Sequence, residues 1–419
     1  MRELVRPGRI SLGFSRCGFA SGNMAGLRSR SSIRLINAAF SLPASRVGRL
    51  GVGPDVPDPR MRVGALGSLA AIAPVLAGLA VVGFTLFGPA ARQAAAQELP
   101  PDLTVALHAG LAPAAVNDVL VAPFARANGL SLDATLFPGG ADALPTLNWD
   151  VIAVKGGELM AGCEQGLLAR VAPLFDKARG DVLGDRGRFL LPPGHCGIPA
   201  FTRATVLAWD SAKVNHTLTW ADFWDVAKVP GKRGLRWGPR GTLELALLAD
   251  GVAPADIYKT LATPAGVDRA FRKLDQLRPY LVWWHTDAQA ARILGSGEVL
   301  MTSAPEDMIA RADSHGRSFG VQWQGGLLSL VSWAVQRGTP ARDVAWKFLA
   351  YATTPANQAA LARRIPYGPV VAGAQKAMPK AAWEATPTAH LSQLLPIDET
   401  FWQSHLKALT ARFVAWAKG

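Results

Sequence analysis

The residue types that carry catalysis are present in this chain but are not arranged for it. Seven histidines (His108, His195, His216, His285, His315, His390 and His405) stand singly along 419 residues. No Gly-x-Ser-x-Gly elbow raises a nucleophile, no Walker loop cradles a phosphate, and no His-Glu-x-x-His pair or Cys/His spacing would close around a metal. Neither a catalytic centre, a metal nor a cofactor is therefore expected. What remains are charged and hydroxyl residues suited to holding a molecule. His108, Lys155, Arg203, Thr302 and Ser303 each follow or end a short apolar run, and Arg240 lies in Gly238-Pro-Arg-Gly241, just ahead of a helical pattern. A helix start carries partial positive charge, so that last stretch offers backbone N–H groups to an anion.

These residues need elements to carry them. Leu103-Thr-Val-Ala-Leu107 and Asp150-Val-Ile-Ala-Val154 read as buried strands, with Thr205 to Trp209 and Gly234 to Trp237 as further extended runs. Ala114 to Ala127 reads as a helix with Val116, Val119, Leu120 and Phe124 on one stripe, and residues 157–164 and 242–249 read as helices too. Thr219-Trp-Ala-Asp222 pairs a capping Thr with an acid at the third position, while Thr263-Pro264, Thr339-Pro340 and Thr354-Pro355 pair a cap with a first-turn Pro. Alternation of strand and helix predicts α/β architecture with sheets covered on both faces. Open sheets of this kind place ligands beyond the carboxyl ends of their strands. That rule selects His108 to Ala112, Lys155 to Gly157, Phe201 to Arg203, Gly238 to Gly241, Thr302 to Asp307 and Trp323 to Trp333.

A chain with 49% apolar and 18% charged residues is not disordered, and its length suits two or three domains. The net charge of +13 is concentrated at one end. Residues 1–97 hold 12 Arg against Glu3, Asp55 and Asp58, so the remainder is nearly balanced and no nucleic-acid partner is expected. Between Arg62 and Arg92 lie 29 uncharged residues, and Ala94-Ala-Ala-Gln97 then presents small residues at the −3 and −1 positions of a signal-peptidase site. Residues 61–96 read as a signal peptide cleaved after Ala96, which sends the protein to the periplasm. An uncleaved anchor is the alternative, for which the segment is long enough. Residues 1–60 are either a disordered extension or the result of a misassigned start, with Met61 the true one. Export removes Cys17 and leaves Cys163 and Cys196 as an even pair in an oxidising compartment, where a disulfide is the economical reading.

Several strings fall together in one order. Thr219-Trp-Ala-Asp-Phe-Trp-Asp-Val, Pro230-Gly-Lys-Arg-Gly-Leu-Arg, Thr242-Leu-Glu-Leu-Ala-Leu-Leu-Ala-Asp-Gly251, Val282-Trp-Trp, Ser296-Gly-Glu-Val-Leu-Met-Thr-Ser303, Ala345-Trp-Lys-Phe-Leu-Ala350 and Tyr367-Gly-Pro369 resemble the periplasmic solute-binding proteins of the spermidine/putrescine ABC-transporter family. The resemblance covers essentially Leu103 to Ala417, and the contexts of Cys163 and Cys196 resemble paired cysteines in one branch of it. It implies a type II periplasmic-binding-protein fold: two α/β lobes, each a sheet flanked by helices, with the ligand cleft between them. Crossover strands are expected near Thr205 to Asp210 and Leu327 to Val335. Residues 98–209 with 326–419 would form the first lobe and 210–325 the second. The implied function is delivery of a small hydrophilic solute to an inner-membrane ABC permease, by a monomer with no chemistry of its own.

The pocket departs from that family. Polyamine binders hold ammonium groups with carboxylates and aromatic faces, because a desolvated cation needs a countercharge or a ring quadrupole. Here Lys155 stands where an acid is expected, Arg203 where an aromatic is usual, and Ser329 and Val331 where relatives carry Asp; Tyr367 keeps the family string. Glu306 and Asp307 are the acids placed to compensate. Polyamine is thus the inherited solute, and an anionic or zwitterionic one is what the departures favour. A ligand-sensing partner of a membrane receptor and, less favoured, an enzyme on the same two-lobe fold stay open as alternatives. N-terminal sequencing of the periplasmic protein should begin at or near Gln97; a membrane-bound form still carrying Val63 to Phe87 would mean an anchor.

Overall fold

The computed structural model describes residues 102–175, 183, 185–313 and 317–418. The signal segment, the extension before it and Cys17 lie outside the described residues.

A strand covered on both faces needs apolar residues at nearly every position rather than every second one. Leu103–His108 (β1) and Val151–Lys155 (β3) meet that requirement and pair in parallel, with Leu132–Phe137 (β2) at the edge beyond β1. Two long strands then cross the fold, Ile198–Asp210 (β4) and Phe319–Val335 (β8), antiparallel to one another. One end of β8 pairs with β3, and the far end of β4 pairs with Met301–Pro305 (β7), which leads on to Arg233–Arg236 (β5) and Leu281–Trp284 (β6). The order is β2-β1-β3-β8-β4-β7-β5-β6, and Leu395–Pro396 (β9) pairs with β8.

The two halves of this sheet serve separate cores. One gathers Leu103, Phe124, Val331, Trp333 and Phe348; the other gathers Leu207, Phe223, Leu243, Phe271 and Phe413. The expected two-lobed α/β fold is therefore present, with β4 and β8 passing from one lobe to the other. The change of partners falls around Arg203 to Thr205, opposite Leu327 to Ser329, at the start of the expected crossover stretches. Thr205 faces Leu327 but Leu207 faces Gln322, so the residues between Gln322 and Leu327 are looped out, and Gly325 at φ 73° supplies a left-handed bend there that other residues resist.

Local chemistry mostly follows the sequence. Thr219, Thr263 and Thr354 cap their helices as read. At Thr339-Pro340 the helix starts later, at Arg342, because the Thr339 hydroxyl is engaged with Asp150 and with the Ala341 N–H. The stretch 114–127 is interrupted by a π-helical turn at Asn117–Val121. The division expected at the C terminus does not hold: helix Glu399–Lys418 buries Phe401, Trp402, Leu409 and Phe413 in the second core, not the first. Trp237 and Trp283 meet Phe413 edge-on at 5.3 and 5.5 Å, and these aromatic contacts hold the helix to the second lobe.

Cys163 and Cys196 are disulfide-bonded with Cα atoms 5.7 Å apart, tying helix Gly156–Glu164 to the start of β4. Replacing both with Ser frees a loop of 33 residues and should lower unfolding free energy by about 3 to 4 kcal/mol in a denaturant titration; an unchanged midpoint would contradict this.

Glu306 sits buried beside the crossover, with Oε2 accepting the Ala204 N–H at 2.8 Å and Oε1 without a partner. Burial first, and then the Asp307 carboxylate, push its pKa well above the ordinary 4.5. The folded state therefore keeps a proton that the unfolded state releases, and stability falls as pH rises from 4.5 through the raised value. Glu306→Gln should flatten that fall in unfolding titrations from acidic to neutral pH. An identical slope in variant and wild type would contradict it.

Candidate ligand-binding cleft

The carboxyl ends of β3 and β5, the crossover of β4 and β8, and the start of the C-terminal helix enclose a cleft of 690 Å³, a size that takes small organic ligands. Its charged groups come from every side. Lys155 ends β3, Glu158 lies one turn into helix Gly156–Glu164, Arg203 is on β4, Arg236 ends β5, Arg240 follows in the next loop, Asp287 opens helix Asp287–Gly295, and Glu399 opens the C-terminal helix.

Most of these charges already have partners. Arg203 donates to Asp287 at 3.0 Å and through Nε to Asp307 at 3.2 Å, with a second, shorter bond to Asp307. Together these carboxylates hold the guanidinium protonated, raising its pKa against the cost of burial. Arg240 pairs with Glu399 at 2.5 Å. Glu158 accepts the N–H groups of Lys155 and Gly140, both at 2.9 Å, and faces His108 at 3.4 Å. Burial opposes its ionisation, but these bonds outweigh that and hold its carboxyl below the usual range.

Lys155 and Arg236 are different: among the described residues neither makes an ion pair or a side-chain hydrogen bond. Lys155 is half-buried and Arg236 exposed; desolvation in the cleft is the first cause that lowers the pKa of each, Arg203 adds to the effect at Lys155, and Asp287 opposes it at both. A pair of cations facing a cleft without a direct countercharge is a place for an anion. Asp287 lines the same cleft and gives only one carboxylate oxygen to Arg203, and the indoles of Trp237 and Trp284 also line the cleft.

Of the residues expected from sequence, Lys155, Arg203, Arg240, Ser303 and Ser329 line the cleft. Four stand behind its wall. His108 accepts the Gly110 N–H through Nδ1 at 3.0 Å and supports Glu158. Thr302 is buried, its hydroxyl 3.1 Å from the Gly234 carbonyl and 2.8 Å from that of Ser303. Tyr367 stacks on Phe201 at 4.4 Å and lies under the Arg203 guanidinium, 5.6 Å from its ring centroid. Asp307 is buried between Arg203 and Arg311, so neither it nor the buried Glu306 serves as a cleft carboxylate for an ammonium ion.

Sequence reasoning missed Glu158, Arg236, Asp287 and Glu399. Arg236 ends its strand, two residues before the Gly238 to Gly241 stretch that the strand-end rule selects. Asp287 follows the apolar run Leu281–Trp284 and was open to the same rule. Glu399 had no local signal, since only the long-range docking of its helix brings it to the cleft.

Residues 88–390 match the family described as bacterial extracellular solute-binding protein. A gamma-aminobutyric acid-binding protein of Pseudomonas aeruginosa is 41% identical over 345 residues, which are 80% of this chain and 95% of that one. Among solved structures, an ABC transporter substrate-binding protein from Bradyrhizobium japonicum is 29% identical with a TM-score of 0.66, over 75% of this chain and 98% of the other. A GABA receptor structure is 26% identical with a TM-score of 0.65, over 75% and 97%. A spermidine/putrescine ABC transporter substrate-binding protein from Streptococcus pneumoniae, at 15% identity and a TM-score of 0.61 over 75% of this chain and 99% of the other, shares the fold alone. The family and these relatives are solute-binding proteins rather than enzymes. With a family match across most of its length and two lobes around a charged cleft, the chain belongs to the bacterial extracellular solute-binding proteins and is a substrate-binding component of an ABC transporter.

Proposed function

We propose that this protein binds a short zwitterion, gamma-aminobutyrate or a closely similar ω-amino acid, in the periplasm and delivers it to an inner-membrane permease. The observation that carries the reading is the pair of cations without ion-pair partners, Lys155 and Arg236, beside Asp287 in one cleft. A ligand carboxylate between the two cations gains charge-assisted hydrogen bonds and relieves their mutual repulsion. The ligand ammonium then takes the free oxygen of Asp287 and the faces of Trp237 and Trp284, a countercharge and ring quadrupoles together. Ser303 and Ser329, from opposite lobes, add neutral hydrogen-bonding partners. A polyamine brings only cations, and like charges brought together cost several kcal/mol. The names of two relatives, a gamma-aminobutyric acid-binding protein and a GABA receptor, support the same ligand class. The leader read in residues 61–96 supplies export, and lobe closure about β4 and β8 retains the ligand.

Calorimetry with gamma-aminobutyrate, putrescine and spermidine should show binding of the amino acid and little or none of the diamines; the reverse order would overturn the reading. Arg236→Ala should weaken gamma-aminobutyrate about 10- to 100-fold, the value of a lost hydrogen bond to a charged group. Unchanged affinity would remove Arg236 from the site.

The depressed pKa of Lys155 sets a pH dependence. The folded protein releases this proton at lower pH than an ordinary lysine, while a bound carboxylate favours its retention. Affinity should fall as pH rises through the lowered value, with proton uptake on binding in that window. Lys155→Arg should move the loss to higher pH. Identical pH profiles for the two proteins would contradict the role.

A further inference from the structure

The polar floor holds only part of the cleft. Its volume of 690 Å³ lies well above what a four-carbon amino acid fills, and much of the remaining wall comes from the C-terminal helix, where Leu406 and Val414 stand among Gln403 and Thr410. Leu406, Thr410 and Val414 recur every fourth residue and form one stripe along that helix facing the cleft, with the wholly buried Phe413 packed behind them. Trp237 and Leu245 of the second lobe line the same cavity. Leu406 stands out: Leu136, Leu190, Tyr280 and Leu406 are the exposed large hydrophobic residues among those described, and of these Leu406 alone lines the cleft, with 41% of its surface in solvent. The stripe is continuous with the floor that holds Lys155 and Arg236, so whatever covers it shares the cavity with the charged end of the ligand.

We propose that this stripe is a second, apolar subsite, and that it takes an aliphatic or aromatic substituent carried by an amino-acid ligand whose carboxylate and ammonium sit at the floor. The inference rests on the zwitterion reading above. It assigns the protein a wider ligand class than unsubstituted gamma-aminobutyrate: small amino acids with an apolar branch between their two charged ends. Such a branch keeps both charged contacts and removes apolar surface from water on both sides.

The test compares gamma-aminobutyrate with 4-amino-3-phenylbutanoate by calorimetry on the exported protein, in wild type and in Leu406→Asp. Leu406 is exposed, so the variant keeps the packed core. Burial of the ring should make the phenyl compound bind about tenfold tighter than gamma-aminobutyrate to wild type, and the ratio should fall to about one or below in Leu406→Asp. A wild-type ratio near or below one, with gamma-aminobutyrate still binding, overturns the subsite and leaves the zwitterion reading standing. A tenfold ratio that survives in Leu406→Asp places the ring elsewhere and overturns the subsite as drawn. Failure of both compounds to bind wild type overturns the zwitterion reading and this subsite with it.

Discussion

Arg203 sits where β4 passes between the lobes, with 7% of its surface exposed, and a guanidinium in that position cannot stand without carboxylates. Asp307, wholly buried, takes one side of it, and Asp287 takes another. Each acid belongs to the first turn of a different helix, so satisfying one charge also fixes two helix starts against the crossover strand. Arg311 holds Asp307 from its own helix, and Tyr367 lies flat beneath. Removing one partner of such a buried pair typically costs about 3 to 5 kcal/mol, because the other charge is left uncompensated. The floor of the cleft is thus fixed by electrostatics before any ligand arrives.

This arrangement also decides what charge is left over. An arginine read from sequence as presenting its charge to the ligand is largely neutralised, and the acids read as compensating for an ammonium ion are occupied or buried. The surplus falls on Lys155 and Arg236, from opposite lobes, so a carboxylate held between them would also bridge the lobes. Further links between the lobes run through the C-terminal helix. Gly156 leaves room for it: a Cβ at that position would fall 2.4 Å from Cγ of Glu399 and press on the side chain that pairs with Arg240. Gln403 of the same helix donates to Glu164 at 2.6 Å.

How much of this was legible follows from how local each signal is. The strands β1 and β3, the helix over 242–249 and three of the Thr caps depend on contiguous apolar runs and neighbouring side chains, and they formed as read. The two-lobed fold was legible from ordered strings that no single element explains. Looking just beyond strand ends selected Lys155, Arg203, Arg240, Ser303 and Ser329, which line the cleft. The rule names positions but not orientations: Thr302 and Ser303 are neighbours on one strand, and alternation sends only the second into the cleft. Pairing was not legible at all. Nothing near Arg203 announces Asp287 or Asp307, 84 and 104 residues away, and nothing in the C-terminal helix announces that its docking on the second lobe delivers Glu399 and Leu406.

The most direct measurement is a crystal structure of the exported protein with gamma-aminobutyrate bound. The ligand carboxylate should lie within hydrogen-bond distance of both the Lys155 ammonium and the Arg236 guanidinium, with its ammonium against Asp287 and the two indoles. A ligand bound in the opposite sense, or a cleft in which Lys155 and Arg236 turn away from the carboxylate, would contradict the assignment of those two cations as the anchor.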